Sequence, residues 1–304
     1  MNRLTILIAA FMCLAMAAGA QTEPDMVKVD GGTFKMGSAV KGDADERPVH
    51  TVTVNSFLIS KYELSVKEYK QFISDKSATD FLSKREHVMP AAPDTTWMKE
   101  HPDTQKFYPL ASVSWGGWQD NFPMHHITWY DAVAYCNWLS EKHGLQKCYS
   151  EDSDGTVLLD ISKNGYRLPT EAEWEFAAKG GNKSRGTDFA GSSNPETVCW
   201  YDDTSMLEGP QKIGSKEPNE LGIYDMSGNV IEWCQDRYGE SYYEDWQVDP
   251  QGPGESGAGY ANENFVLRGG DYLNSSYPEY CEVADRNKQH PNVASEQYGM
   301  RLAL

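Results

Sequence analysis

Cys281 and the polar side chains near it are the residues of the C-terminal region whose types suggest chemistry. Cys281 lies in the segment RGGDYLNSSYPEYCEVADR, residues 268–286, together with Asp271, Asn274 and Arg286. Cysteine reacts as the thiolate, so a reactive thiol needs an electropositive and partly exposed position. We therefore treat Cys281 as a candidate reactive thiol, with a buried thiol or a disulfide as the alternative.

His125 and His126 are a second group of side chains that can bind metal ions. Successive residues of a strand point to opposite faces, so two adjacent imidazoles on a strand cannot chelate one ion. We expect these histidines to act separately, each as an ordinary buried or surface residue.

Three capping signals define the helices that must position these side chains. The string GYRLPTEAEWEFAAKGG, residues 165–181, has Thr170 and Glu173 at capping-box spacing and ends in two glycines, so it predicts a complete helix. Ser65 and Glu68 open a second helix that runs to about residue 73, and Thr128 opens a third that runs to about residue 143.

Short alternating segments between these helices predict strands. Residues 26–36 alternate and contain two glycines, as in a hairpin, and residues 50–59, 265–272 and 298–304 also favour strands. Residues 75–122 show no clear period and predict a long irregular excursion. The pattern indicates an α+β fold with little regular secondary structure, long loops and one domain over residues 21–304.

The N-terminal segment is typical of a secretory signal peptide. It has a basic residue at Arg3, an apolar run over residues 4–17 and an Ala-Gly-Ala cleavage pattern that ends at Ala20. The run is short for a membrane span of about 20 residues. We therefore expect residues 1–20 to be removed, no membrane insertion afterwards, and a secreted or periplasmic protein.

The net charge limits the classes of molecule that the protein can bind, and the cysteine count limits how its thiols can pair. The net charge of −18 argues against nucleic acid or an anionic membrane as a partner. Cleavage would remove Cys13 and leave five of the six cysteines, Cys136, Cys148, Cys199, Cys234 and Cys281. An odd number leaves at least one free thiol or one intermolecular bond.

Several motifs, in order along the chain, resemble those of the formylglycine-generating enzyme family, also called sulfatase-modifying factors. They are GGTFKMGS (residues 31–38), KYE (61–63), PMHHITW (123–129), GYRLPTEAEWEFAAKGG (165–181), PNELGIYDMSGNVIEW (218–233), VLRGGDY (266–272) and YGMRLAL (298–304). The resemblance covers nearly the whole mature chain. It implies a variant of the C-type-lectin fold and a bound calcium ion.

The resemblance also implies where calcium binds. The loop DMSGNVIE, residues 225–232, matches the family's calcium loop, so the expected ligands are the side chains of Asp225 and Glu232 and the carbonyls of Gly228 and Val230. Oxygen donors and a tight turn suit calcium. The alternative is that Asp225 only stabilises a turn. A second family site is in doubt, because Val198 stands where a side-chain amide is expected and the nearby Asp202 and Asp203 do not restore the pattern.

The family's oxidase activity depends on a copper ion held between two cysteine thiolates, and here the sequence departs from the pattern. Asn274 stands at the position of the first cysteine, and Cys281 matches the second only with two residues inserted. Asp271 replaces a serine and Ile231 a tryptophan of the oxygen pocket. One thiol cannot form a two-thiolate site, so we expect copper to be absent.

The resemblance thus implies a cleft lined by Asp271, Asn274, Ile231 and Arg286, with Cys281 as its only catalytic candidate. Arg286 equally suits an ion pair with Asp285 or Asp271. We expect an exported protein that acts by binding a protein or peptide, such as a sulfatase, or else a glycan. The alternatives are an oxidase that converts a sulfatase cysteine to formylglycine, or a related oxidation, and a structural component of a bacterial envelope, gliding or secretion assembly.

Overall fold

The computed structural model describes residues 23–39, 43–75, 119–205, 209–240, 247–253, 263–273 and 278–304. The predicted leader (residues 1–20), the cleft residue Asn274 and most of the predicted irregular excursion lie outside the described residues.

The first four strands form parts of two different sheets. β1 (Met26–Val29) pairs antiparallel with β4 (Phe57–Ser60), whereas β2 (Gly32–Met36) pairs antiparallel with β3 (His50–Val54). The predicted hairpin over residues 26–36 is therefore wrong. Between β1 and β2 the chain passes so close to the β3–β4 connection that a Cβ on Gly31 would lie 2.6 Å from the carbonyl oxygen of Val54.

A four-stranded sheet forms the centre of the C-terminal half. Its order is β10 (Arg286–Gln289), β9 (Phe265–Arg268), β7 (Ile231–Arg237) and β11 (Tyr298–Gly299), with β11 parallel to β7 and the other neighbours antiparallel. Two shorter pairings complete the strands: β5 (Tyr149–Glu151) with β6 (Val157–Leu159), and β8 (Gln247–Val248) with β3.

The three predicted helices are confirmed, including their caps. They are α1 (Val66–Ile73), α2 (Trp129–Lys142) and α3 (Glu171–Ala178), which begin after the capping residues Ser65, Thr128 and Thr170. Gly180 and Gly181 have φ of 89° and 55°, the left-handed conformation expected after α3. Two single-turn helices follow, α4 (Pro195–Val198) and α5 (Asp202–Ser205).

The helices cover two apolar clusters. α1 and α2 pack with β7 and β9 around Trp129, Trp233 and Leu267. α3 packs Trp174 and Phe176 against β1 to β4. Among the described residues, no helix is both long enough and apolar enough to cross a bilayer.

Residues 298–304 join the N-terminal strands to the entry of α3. The amide N of Ser60 donates to the carbonyl of Leu302 at 2.8 Å, and that of Leu58 donates to Leu304 at 2.9 Å. Ala303 exchanges hydrogen bonds with Arg167, just ahead of α3. The C-terminal segment therefore places Arg301 at the centre of the molecule, where it is fully buried.

Candidate functional site

The loop from Asp225 to Glu232 is a sequence of tight turns that leads into β7. Asp225, Gly228 and Asn229 all have positive φ, at 56°, 78° and 67°. A Cβ on Gly228 would lie 2.2 Å from the carbonyl oxygen of Trp200, so only glycine fits at this position. The four predicted calcium ligands are thus held in one compact loop.

Three carboxylates and one guanidinium lie together at this loop. Asp225 and Glu232 belong to the loop itself, and Glu63 and Arg301 come from other parts of the chain. Arg301 holds Glu232 with both oxygens, with Nε 2.6 Å from Oε2 and Nη2 2.7 Å from Oε1, and the indole of Trp174 donates to Oε2 at 2.7 Å. Glu63 accepts from the amide of Val230 at 3.1 Å and from the side chain of Asn229 at 2.7 Å. The formal charge of this cluster is −2, because three ionised carboxylates (Glu63, Asp225 and Glu232) are balanced by only one guanidinium, that of Arg301.

Burial makes this charge costly. Burial, followed by the charges of Asp225 and Glu232, holds the pKa of Glu63 well above its usual range. Burial also raises the pKa of Asp225 to about 6, although the amide of Gly214 donates to its Oδ2 at 2.6 Å. Without an additional cation, the cluster is therefore stabilised by taking up protons.

The residues present fit a calcium ion in one specific respect. Oδ1 of Asp225 is buried and finds no hydrogen-bond partner among the described residues. The described residues contain no group of three or more His, Cys, Asp or Glu arranged to hold a metal ion, but the predicted set needs only two side chains besides two carbonyls. A pocket of about 280 Å³ reaches Glu63 from the surface.

Gln297 connects Asp271 and Ile231, two of the predicted cleft residues. The amide of Ile231 donates to the carbonyl of Gln297 at 2.9 Å, and Nε2 of Gln297 donates to Oδ2 of Asp271 at 3.0 Å. Asp271 is only 4% exposed, and burial raises its pKa. Ile231 is packed in the core beside Trp233. Gln297 therefore bridges the two residues, and both of them are buried.

The two adjacent histidines meet, contrary to our expectation. Nδ1 of His125 lies 2.9 Å from Nδ1 of His126, and the ring centroids are 5.1 Å apart. The alternation rule fails because His126 has φ of 62°, so the two residues are not in one extended strand. Left-handed backbone at a non-glycine residue leaves little trace in a single sequence.

Cys281 lies inside a small apolar cluster. It is fully buried with Cys199, and the other members are Phe189, Val198 and Tyr201. The structure has no disulfide bond between the five described cysteines, which are all buried. Of the two alternatives for Cys281, the structure has the buried thiol, and Cys199 lies in the same cluster.

Arg286 forms its ion pair with Glu171 of α3. Nε lies 2.6 Å from Oε1 and Nη2 lies 3.0 Å from Oε2 of this buried carboxylate. Nη1 also donates to the carbonyls of Asp45 and Gly239. The structure thus places Arg286 in a network that supports α3, and the ion pair predicted with Asp285 or Asp271 is replaced by one with Glu171.

Glu63, Gln297 and Arg301 were not predicted as site residues. Glu63 lies in the KYE motif and Arg301 in YGMRLAL, so a motif marked each position without revealing its partner. No comparable signal marks Gln297. These contacts span 26 to 167 residues along the chain, which a local pattern does not encode.

Comparison with known proteins gives a consistent result. Residues 13–304 match the sulfatase-modifying factor enzyme 1-like domain. The chain is 30% identical to a formylglycine-generating enzyme of Streptomyces coelicolor, over 94% of this chain and 91% of the relative. It is 28% identical to a protein named chaperone protein LppX of Paenibacillus barcinonensis, over 97% and 94%. It is also 27% identical to a mouse protein named inactive C-alpha-formylglycine-generating enzyme 2, over 98% and 91%.

Solved structures have the same fold. Variable protein 1 of Treponema denticola superimposes with a TM-score of 0.69 at 27% identity, over 91% of this chain and 94% of that one. PvdO from Pseudomonas aeruginosa superimposes with a TM-score of 0.61 at 23% identity, over 92% and 94%, which shows the fold alone. The predicted C-type-lectin-like α+β fold is confirmed, and the chain belongs to the sulfatase-modifying factor family.

Proposed function

We propose that this protein is an exported, non-catalytic member of the family that acts by binding a protein or peptide. The observation that carries the proposal is the complete burial of Cys281 in an apolar cluster. A two-thiolate copper site that exchanges with a substrate thiol needs accessible thiolates, and burial in apolar surroundings opposes thiolate formation. Asp271, which the resemblance assigns to the same cleft, is also buried.

The names of the relatives support a role without oxidation. One relative that matches over almost the full length is named a chaperone protein, and another is named inactive. A structural neighbour with 27% identity is named a variable protein. The same fold is therefore found in proteins whose names describe no oxidase, and a fold alone does not fix a function.

The predicted leader and the net charge of −18 support a secreted or periplasmic location. In that compartment we propose that calcium binds the loop through the side chains of Asp225 and Glu232 and the carbonyls of Gly228 and Val230. A dication there would balance the formal charge of −2 left by Glu63, Asp225, Glu232 and Arg301. Its role would be to stabilise the loop and β7.

An assay for aldehyde formation distinguishes a binding protein from an oxidase. The purified protein is incubated with Cu(I), oxygen and a Cys-x-Pro-x-Arg peptide, and the peptide is assayed for aldehyde with a hydrazide reagent and by mass spectrometry. We expect no aldehyde while circular dichroism shows a folded protein. An active formylglycine-generating enzyme run in parallel controls the assay. Aldehyde made by this protein, and lost in Cys281→Ala, would establish the oxidase instead.

A further inference from the structure

A pocket of about 200 Å³ opens between the turn that joins β5 to β6, the start of α2 and the ends of β7 and β9. Aromatic rings form one part of its lining. Trp129 and Phe265 pack together with ring centroids 4.1 Å apart, and the half-buried Tyr130 lies beside them in the lining. The pocket therefore offers apolar ring surface to a ligand.

Three polar side chains complete the chemistry of this pocket. Arg237, at the end of β7, lies with Cζ 5.0 Å from the centre of the Phe265 ring, and this contact holds the guanidinium at the pocket. The β5–β6 turn supplies the carboxylate of Asp154 and the hydroxyl of Thr156. The described lining residues thus carry one positive and one negative charge, and their formal charge is zero.

The wall formed by the β5–β6 turn is built in advance of any ligand. Oδ1 of Asp152 accepts from the amides of Asp154 and Thr156, each at 2.9 Å. The side chain of Asn137, on α2, exchanges hydrogen bonds of 3.0 and 3.2 Å with the backbone of Tyr149 in β5. The turn is therefore fixed to the helix that carries the aromatic wall, which lowers the entropic cost of binding a ligand.

We propose that this pocket binds one pyranose ring of a neutral glycan. A pyranose has a C–H face that packs on an aromatic ring, and its hydroxyls both donate and accept hydrogen bonds. Arg237 only donates, Asp154 only accepts, and Thr156 does both. An anionic ligand would be repelled by Asp154 and a cationic one by Arg237, whereas a neutral sugar meets neither repulsion. The volume is below the range of about 300–1,000 Å³ of pockets for larger ligands, so it suits a single ring.

The pocket holds the sugar without cleaving it. Most glycoside hydrolases use two carboxylates that lie roughly 5–10 Å apart, and Asp154 is the one carboxylate among the described lining residues. The pocket is also separate from the calcium-type loop, residues 225–232. Arg237 follows Glu232 by five residues on β7, which is about 16 Å along a strand. We therefore expect binding that needs no calcium.

Saturation-transfer-difference NMR of the purified protein tests the proposal. The probes are the methyl glycosides of glucose, galactose, mannose and N-acetylglucosamine. At least one should give a signal with a Kd of about 1 mM, the affinity expected of a ligand with about 13 non-hydrogen atoms. Tyr130→Ala removes ring surface, and Thr156→Val keeps the shape but removes the hydroxyl. Each variant should bind that probe about 5-fold more weakly or worse.

Tyr280→Ala is the matched control, because Tyr280 is 50% exposed and is not a lining residue. It should bind the probe as the unaltered protein does. If Tyr130→Ala does not fold, Thr156→Val decides alone. The absence of a signal from all four probes, or an unchanged Kd in Thr156→Val, overturns the proposal.

Three further arms distinguish other ligands. A signal from methyl glucuronide alone, or from N-acetyl-Gly-Tyr-Gly amide alone, would assign the pocket to an acidic sugar or to a peptide and overturn the neutral glycan. Loss of the sugar signal in chelator, while circular dichroism shows a folded protein, would place the sugar on calcium instead. The aldehyde assay is independent of all these outcomes, so the two proposals fail separately.

Discussion

Arg301 forms a bidentate ion pair with Glu232, and both side chains are almost completely buried. Nη2 of Arg301 also donates to the carbonyls of Tyr224 and Asp225, so one guanidinium connects the C-terminal segment, the calcium-type loop and β7. Removing the guanidinium leaves Glu63, Asp225 and Glu232 without their shared cation. The pair is therefore the electrostatic centre of the site.

Arg301→Met should lower the free energy of unfolding by about 3–5 kcal/mol, because it leaves the buried carboxylate of Glu232 without its charged partner. Urea denaturation followed by circular dichroism measures the change. Lys28→Met is the control, since Lys28 pairs with Asp30 on the surface and the side chains are 69% and 73% exposed. The control should change stability by less than about 0.5 kcal/mol. A loss below about 1 kcal/mol in Arg301→Met would contradict the central role of the pair.

Calcium should stabilise the protein measurably. With free calcium at about one hundred times Kd, we expect a gain of about 2.7 kcal/mol, or roughly 5–10 °C in Tm, that a chelator removes. Asp225→Ala should lose the response to chelator. Asp203→Ala, an exposed change in the region of the doubtful second site, should keep it. An equal response in Asp225→Ala and in the unaltered protein would reject the assigned ligands.

Asp285 should make stability fall as pH rises. Burial raises its pKa from an ordinary value near 3.8 to about 8 in the folded protein, with Arg268 opposing and Glu46, Asp45 and Asp43 reinforcing the shift. The folded state therefore holds a proton that the unfolded state has lost between these two values. Each pH unit in this window costs up to about 1.4 kcal/mol.

Asp285→Asn mimics the protonated acid and should remove this dependence. The variant should gain stability over the unaltered protein from pH 4 to pH 8, and the gain should level off at higher pH. Thermal unfolding at several pH values gives the difference. Asp30→Asn, at a surface carboxylate whose side chain is 73% exposed, serves as control and should show no such gain. A difference that is constant with pH would mean that Asp285 is charged in the folded state.

The thiols should be unreactive until the protein unfolds. The five described cysteines are buried, so Ellman's reagent should find almost none of them in the native protein and all five in denaturant, when the protein is prepared without residues 1–20 and hence without Cys13. Tyr280→Cys provides a matched control, because Tyr280 is 50% exposed and adjacent to Cys281. The introduced thiol should react at once. Rapid labelling of Cys281 in the native protein would place it at an accessible cleft after all.

Local signals predicted the helices well. Each capping box lies within four residues, and at Ser65, Thr128 and Thr170 the side chain accepts from the N3 amide as expected. The hairpin over residues 26–36 failed because strand pairing is not local. Met26 pairs with Ser60, and the glycine that suggested a turn is required instead by the close passage of residues 54–56.

The candidate site was only partly predictable for the same reason. The sequence placed Asp225 and Glu232 in one loop, but Arg286 found Glu171 across 115 residues. For His125 and His126, a single φ angle reverses the expected geometry. Burial also changed the interpretation of Cys281, because a thiol in a polar stretch of sequence can still point into an apolar cluster.

The position of residues 298–304 has a consequence for biosynthesis. Strand β4 completes its hydrogen bonds with Leu302 and Leu304, about 240 residues further along the chain. At 5–20 residues per second, a ribosome needs roughly 12–50 s to make that stretch. Strand β4 therefore lacks its hydrogen-bond partners in residues 298–304 until synthesis of the chain is complete. A nascent chain that cannot complete its core early stays unfolded for longer, and an unfolded chain is what the export that we propose would require.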